Sequence, residues 1–299
     1  MKLLDRATQR LLDRLRLVVR ARSTASRQGS HRSPVLASGL EFADHRHYVP
    51  GDDVRHIDWK AFARHRQLSI RQFEEERDAR IYLLCDVSAS MTRGEPPKTD
   101  VAKRLTAAFA YLGMKQFDAV QVLSFSSTLQ SSGRSFRSTN RVVELERYLI
   151  DRETKGETSF EDAVRAFATQ HRGRGSVIVI SDLMATEGWE EGFRVLAGLG
   201  HQLTVLRVTC AEDDTPDFKG ELELFDAERD QRVRIRVGRE LLEAYQQIVQ
   251  EHTDELRSLV QRLGGRLTEA PVELSTDDLV RKVIGRPELD ARLGTGATP

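Results

Sequence analysis

The strongest chemical signal in the sequence is a short polar segment, Asp86-x-Ser88-x-Ser90, which follows an apolar run. One carboxylate and two alternate hydroxyls place three hard oxygens on one side of an extended loop, which suits a Mg²⁺ ion that keeps some of its water. Two more oxygens are expected nearby, because Asp182 closes a strongly β-branched run and Thr158 lies in a loop that opens a helix. We predict that these five residues form a site for Mg²⁺ or Mn²⁺.

Each part of this set also has a simpler interpretation. Strand-to-helix loops often contain Asp and Ser as turn and cap residues. Residues 158–161 (Thr-Ser-Phe-Glu) match a capping box, in which Thr158 would only begin a helix. Asp182 would then be an ordinary turn carboxylate. The chain order of the three features, each at a predicted junction, favours the metal site over three separate coincidences.

The elements that must position this site follow an alternating pattern of strands and helices. Helical stretches with apolar residues three and four apart separate the apolar strand-like runs, and an edge hairpin is possible at 130–137. The predicted strands are 81–85, 120–125, 176–180 and 203–208. This alternation predicts an α/β fold with a doubly wound, mainly parallel sheet. Ligands of such sheets bind at the carboxyl ends of strands, where Asp86 and Asp182 fall.

The two ends of the chain have different patterns. Leucines alternate with glutamates in 221–224, and apolar residues alternate with arginines in 232–237, so a C-terminal antiparallel hairpin is predicted, followed by a long helix over 241–263. At the N-terminus, apolar residues recur at helical spacing between arginines. This basic amphipathic helix is expected to dock on its own domain, with an anionic membrane or an acidic partner as the alternatives.

These patterns divide the chain into five predicted segments. They are a basic helix (1–22), a linker (23–38), a folded region packed on the core (39–78), a main α/β domain with a C-terminal extension (79–285) and a tail (286–299).

Composition narrows the class of protein. The 46 basic and 46 acidic residues balance, which argues against a nucleic-acid partner. No run approaches the ~18 apolar residues of a membrane span, and no signal peptide is evident at the N-terminus. Cys85 and Cys210 lie in or beside apolar runs, as reduced core thiols do. A cytoplasmic location is therefore expected.

The ordered set of Asp-x-Ser-x-Ser, Thr and Asp resembles the metal-ion-dependent adhesion site of von Willebrand factor A domains. The resemblance implies a Rossmann-type fold in which Ser88, Ser90 and Thr158 bind the ion directly or through water, with Asp86 and Asp182 in its outer shell. Two positions depart from the pattern: Glu157 stands where a second Gly is common, and Leu183 stands where many members have Gly.

A second resemblance comes from the region before the first parallel strand. It is similar, nearly position for position, to the signature of the bacterial family called domain of unknown function 58, and the likeness spans roughly residues 38–285. The matching residues include Glu41, Phe42, Arg46, Tyr48, Pro50, Gly51, Asp52, Asp53, Arg55, Ile57, Asp58, Trp59, Ala63, Arg64 and Leu68. Family members are typically encoded beside MoxR-type AAA+ ATPases, which implies such an ATPase, or its client, as the partner.

The signature itself can be read in two ways. The simpler interpretation is a structural clasp, in which Pro50-Gly51 forms a turn and arginines pair with the neighbouring carboxylates. The sharper one is a second metal site or an active site made of acidic and imidazole side chains. Its members would be Asp52, Asp53, Asp58, His45, His47 and His56. Because the histidines follow no ligand spacing, the clasp is favoured.

Motifs for several enzyme classes are missing. The chain has no Gly-x-x-x-x-Gly-Lys-Ser/Thr loop for nucleotide phosphates, and Ser88 stands where haloacid-dehalogenase-like phosphatases have a second Asp. The sequence therefore predicts a non-enzymatic, metal-dependent interaction module. The alternative is a metal-dependent hydrolase or phosphatase that uses Asp86 and Asp182.

Overall fold

The computed structural model describes residues 2–15, 40–49, 57–75, 80–116, 119–171, 174–185, 187–214, 216, 220–226 and 231–284. The chain divides into two compact units. One contains residues 21–79, and the other contains 1–20 and 80–299.

The smaller unit is built on an antiparallel pair of strands, β1 (Leu40–His47) and β2 (Ser69–Glu75). A short helix, α2 (Trp59–His65), lies between them in the chain. Asp58 begins this helix, since its carboxylate accepts a hydrogen bond from the Ala61 amide at 3.0 Å. The sequence pattern indicates a folded region here but not these strands.

The larger unit contains a six-stranded sheet. In chain order its strands are β3 (Arg80–Asp86), β4 (Val120–Phe125), β5 (Leu129–Phe136), β6 (Gly175–Ser181), β7 (Gln202–Thr209) and β10 (Arg266–Pro271). Their spatial order is β10-β7-β6-β3-β4-β5, and only the edge strand β5 is antiparallel to its neighbour. This is the doubly wound order, with its switch point between β3 and β6. The predicted fold class is confirmed.

Alternating residues of the central strands supply two separate cores. Ile81, Leu83 and Cys85 face one apolar layer, whereas Tyr82 and Leu84 face the other. Both layers exclude water, so residues 81–85 of β3 are all apolar, as in a parallel strand that is covered on both faces. The first layer contains α1 (Arg6–Arg14), α3 (Lys98–Gln116), α4 (Val142–Ile150) and α9 (Thr276–Ile284), and the second contains α5 (Phe160–Gln170), α6 (Trp189–Gly198) and α8 (Arg239–Arg262).

The N-terminal helix α1 docks on α3 within the same unit. Leu4 and Leu12 are fully buried in the first core layer. The Leu4 amide donates to Glu146 at 2.7 Å, and Asp13 forms an ion pair with Lys115 at 3.2 Å. For residues 2–15 the expected docked helix is therefore observed, while 16–22 of the predicted helix lie outside the described residues.

The C-terminal part contains the predicted hairpin, β8 (Gly220–Asp226) and β9 (Gln231–Val237), and then the long helix α8. Glu223 pairs with Arg234 at 3.6 Å across the hairpin. The edge strand β10 and helix α9 are not predicted by the sequence pattern, because β10 is short and its partly polar residues do not alternate regularly. A four-residue helix, α7 (Ala211–Asp214), follows β7.

Across the described ranges, none of the helices combines the length and the apolar character needed to cross a bilayer.

Candidate metal centre at the carboxyl edge of the sheet

The candidate site lies at the switch point of the sheet. Strands β3 and β6 are parallel neighbours, with Cys85 opposite Ile180. Asp86 is the last residue of β3, and Asp182 directly follows β6. Strand pairing therefore brings together two carboxylates that are far apart in the chain, at the edge where doubly wound sheets bind ligands.

Asp86 is fully buried. One carboxylate oxygen accepts from the Ser88 amide at 2.9 Å, and the other accepts from the Ser181 hydroxyl at 2.5 Å. No ion pair to Asp86 exists among the described residues. Burial, followed by the negative charge of Asp182, raises the pKa of Asp86 to about 7. Asp86 is thus a buried acid that forms no ion pair with the described residues.

The two serines of the motif turn their hydroxyls toward each other. Ser88 Oγ and Ser90 Oγ are 3.0 Å apart. Ser88 is fully buried in extended backbone, and Ser90 lies in the 3₁₀ helix Ala89–Thr92. The backbone turn after Asp86 therefore collects two hydroxyl oxygens at one point.

Thr158 belongs to a loop that is joined to this segment by backbone hydrogen bonds. The Ala89 amide donates to Gly156 O at 3.0 Å, and the Lys155 amide donates to Val87 O at 3.0 Å. The structure thus places the Thr158 loop against the Asp-x-Ser-x-Ser segment.

The interpretation of Thr158 as a helix cap is wrong. Ser159 is the N-cap of α5, and its hydroxyl accepts from the Asp162 amide at 3.4 Å. A Ser directly after Thr158, with an acidic residue three positions on, satisfies the same capping chemistry.

Asp182 has a partner that the metal hypothesis does not include. Its carboxylate accepts from the Lys98 ammonium at 2.7 Å, and the same ammonium contacts Asp213 at 2.6 Å. Burial alone would lower the pKa of Lys98, but the charges of Asp182 and Asp213 outweigh it, so the pKa is raised. Arg93, half exposed, lies 3.6 Å from Asp213.

The sequence contains weak signals for these additional residues. Lys98 is the first residue of α3, where the positive end of the helix dipole disfavours a cation unless acids compensate it. Asp213 lies in α7, four residues after the end of β7, much as Asp86 ends β3 and Asp182 follows β6. A search for acids after every parallel strand would have found Asp213.

The polypeptide after Asp182 adopts an unusual conformation. Leu183 has a φ of 52°, in the left-handed region that favours glycine. Its side chain is only 3% exposed, its amide donates to Ser181 Oγ at 3.0 Å, and its carbonyl lies 2.7 Å from His252 Nε2. These contacts hold a leucine where von Willebrand A domains often have Gly.

Two observations bear on whether a Mg²⁺ ion fits. Adjacent oxygens of an octahedral Mg²⁺ shell lie about 3 Å apart, given metal–oxygen distances near 2.1 Å, and the two serine hydroxyls have that spacing. Lys98 and Arg93 balance Asp182 and Asp213, which leaves the charge of Asp86 uncompensated. The residues present therefore fit the ion, with hydroxyls as the expected direct ligands.

Carboxylates and imidazoles alone would not form such a site. Over the described ranges, no three His, Cys, Asp or Glu side chains lie close enough together to hold a metal. Any metal here would depend on the serine and threonine oxygens.

The signature region is only partly described. Asp58 caps α2, Trp59 is 61% exposed, and Tyr48 donates its amide to Leu68 O at 3.0 Å. For Glu41, Arg46 and His45 the backbone alone is described, whereas Gly51, Asp52, Asp53, Arg55 and His56 lie outside the described residues. Neither the clasp nor the second site can be built from the described residues.

The sequence has relatives in mycobacteria. The uncharacterized proteins Mb1516 of Mycobacterium bovis and Rv1480 of Mycobacterium tuberculosis are each 25% identical to this chain over 285 residues, which is 91% of this chain and 87% of each relative.

Two solved bacterial structures are similar to the fold. A conserved hypothetical protein, BatB, from Bacteroides thetaiotaomicron has a TM-score of 0.45 at 15% identity, covering 69% of this chain and 97% of that one. An aerotolerance-related membrane protein from Bacteroides fragilis also has a TM-score of 0.45, at 18% identity, covering 69% of this chain and 96% of that one.

A family model matches residues 44–255, which is well over half of the chain and includes most of the signature region, the Asp-x-Ser-x-Ser segment and Asp182. The chain therefore belongs to the family described as protein of unknown function DUF58.

Proposed function

We propose that this protein is a non-enzymatic, metal-dependent protein-interaction module, an adaptor that works with a MoxR-type AAA+ ATPase in assembling or activating other proteins. The observation that carries the proposal is the environment of Asp86. Its carboxylate is fully buried at the switch point, bonded to Ser88 and Ser181, and has no ion-pair partner among the described residues.

The charge of the site supports an acidic partner. Without metal, the three acids and two cations of the site (Asp86, Asp182, Asp213, Lys98 and Arg93) carry a net charge of about −1 when all are ionised. A divalent cation would reverse this charge to about +1. A carboxylate from a partner would then complete both the shell of the ion and the charge balance. Recognition would depend on the metal because the bare site repels an acid.

The partner assignment rests on the family. DUF58 resemblance implies a neighbouring MoxR-type ATPase, and the chain itself lacks the glycine-rich loop that cradles nucleotide phosphates. The ATPase would therefore supply nucleotide hydrolysis, and this protein would supply recognition. A cytoplasmic location belongs to the same proposal, and the free, buried thiols of Cys85 and Cys210 suit it.

The alternative, a hydrolase or phosphatase, requires a reactive carboxylate. Both oxygens of Asp86 already accept hydrogen bonds and the side chain is fully buried, which disfavours nucleophilic attack. Asp182 is held by Lys98 in the described site. We therefore expect no turnover of generic phosphate esters. Turnover that disappears in Asp86→Asn would contradict the adaptor proposal.

A pair of hydroxyl variants tests the proposed function. Ser90→Ala removes one expected ligand, whereas Thr92→Ala removes an exposed hydroxyl of the same 3₁₀ helix that donates to Ala89 O at 2.7 Å. Calorimetry should show Mg²⁺ binding weakened about tenfold or more in Ser90→Ala and unchanged in Thr92→Ala.

Pull-down of the neighbouring MoxR-type ATPase should follow the same order. EDTA and Ser90→Ala should each reduce the amount captured, while Thr92→Ala should not. Capture that is indifferent to EDTA and to Ser90 would refute the metal dependence, and no capture under any condition would refute the partner.

A further inference from the structure

Lys98 is a buried cation that contacts one acid of the candidate metal centre. Lys98 is 1% exposed, and its ammonium lies within 2.7 Å of Asp182 and 2.6 Å of Asp213. It thus occupies an oxygen of one of the two acids that the candidate metal centre contains.

A purely structural role does not explain the position of this lysine. Burying an ammonium is costly, and Lys98 also lies at the first residue of α3, where the helix dipole disfavours a cation. A hydrophobic residue would pack there without either penalty if Asp182 and Asp213 were absent. The lysine is therefore tied to the two acids, one of which, Asp182, directly follows β6, the strand that pairs with β3.

We propose that Lys98 competes with the divalent cation for Asp182 and thereby sets the metal affinity of the site, an inference that rests on the proposed function. When a divalent cation interacts with Asp182, Lys98 keeps its ion pair with Asp213. The ammonium is therefore never left without an acid. Metal binding then requires a shift of the lysine from two carboxylates to one. The site consequently binds metal more weakly than it would if residue 98 carried no charge.

Asp213 has the geometry that this exchange requires. It is buried, it comes from a different strand end than Asp182, and it contacts the ammonium as closely as Asp182 does. Arg93 lies at its other carboxylate oxygen. Lys98 can therefore remain paired with Asp213 without crossing the core.

The test compares two lysines of one helix. Lys98→Met removes the rival charge with little change of shape, and Lys103→Met is the control, since Lys103 is also buried but donates to the Arg152 carbonyl at 2.7 Å rather than to an acid. Titration calorimetry with Mg²⁺ should show at least roughly tenfold tighter binding in Lys98→Met than in wild type. Lys103→Met should bind as wild type does.

A double variant guards against loss of folding. Lys98→Met with Asp213→Asn removes one positive and one negative charge, so the net charge of the cluster is that of wild type while Asp182 is released. Competition for Asp182 predicts that the double variant still binds Mg²⁺ more tightly than wild type. Affinity equal to that of wild type, or lower, would overturn the inference.

The outcomes separate this inference from the proposed function. Binding by the variants with none in wild type would support the competition and refute metal-dependent action of the natural protein. Unchanged or weaker affinity in the variants, beside clear wild-type binding, would refute the competition alone. No binding by any of the proteins would refute both.

Discussion

Aspartates at neighbouring strand ends of this sheet have different electrostatic environments. At the end of β3, burial and the charge of Asp182 raise the pKa of Asp86, and its carboxylate accepts hydrogen bonds but has no ion-pair partner among the described residues. After β6 and β7, Asp182 and Asp213 share the charge of Lys98. The comparison teaches that a buried acid at a strand end can either be paired with a cation of the protein or be left without one. The groups that contact the acid decide between these two states.

The largest change in stability should come from removing the cation that Asp182 and Asp213 share. Lys98→Met, measured in EDTA, should lower the free energy of unfolding by about 3–5 kcal/mol, because two buried acids lose their shared cation. Urea denaturation measures this change. Lys103→Met serves as the control and should cost clearly less, because it leaves a carbonyl rather than two charges without its donor. Equal losses would show that the ion pairs of Lys98 are worth no more than the carbonyl contact of Lys103.

The next effect is the pH dependence of stability that arises from Asp86. The pKa of Asp86 is raised from 3.8 to about 7, so folding favours its protonated form. Its contribution to stability is complete below pH 4 and is lost as the pH rises toward 7, an amount on the order of a few kcal/mol.

The free energy of unfolding should therefore decrease less between pH 4.5 and pH 7.5 in Asp86→Asn than in wild type. Urea denaturation in EDTA across this range measures it. The exposed acid Asp151 provides a control, and Asp151→Asn should keep the wild-type slope. Parallel profiles for Asp86→Asn and wild type would contradict the environment assigned to Asp86.

A smaller effect should come from the turn that carries Asp182. Leu183→Gly relieves left-handed strain of about 1–2 kcal/mol but removes a buried leucine, which costs about 2–5 kcal/mol. We expect a net loss of about 1–3 kcal/mol by thermal or urea unfolding. A gain in stability would mean that strain, rather than packing, dominates at this position.

The smallest effect should come from the exposed ion pairs of the hairpin. Glu223 contacts Arg232 at 3.8 Å and Arg234 at 3.6 Å, but all three side chains are well exposed. Glu223→Gln should change the free energy of unfolding by at most a few tenths of a kcal/mol. A loss close to that of Lys98→Met would remove the distinction between buried and exposed pairs.

Central strands of the sheet are easier to predict from the sequence than its edge strands. Apolar runs such as 177–180 predict central strands well, because both faces of such strands are covered and their central positions are apolar. The edge strand β10 escapes the same reasoning, since only part of it is buried.

For the site, the motif order identifies Asp86 and Asp182 because strand ends of a parallel sheet meet at one edge. Asp213 could be found by the same strand-end reasoning, but its pairing with Lys98 could not be predicted. Their contact depends on the three-dimensional approach of α3 to the end of β7, which no local pattern encodes.

The two backbone hydrogen bonds between the Thr158 loop and the segment after β3 have a consequence for amide exchange. Ala89 and Lys155 lie outside the sheet and outside α-helices, where amides usually exchange with solvent quickly. Each donates across the junction, to Gly156 O and Val87 O. Their protons should therefore exchange slowly and at similar rates, since one opening of the junction exposes both.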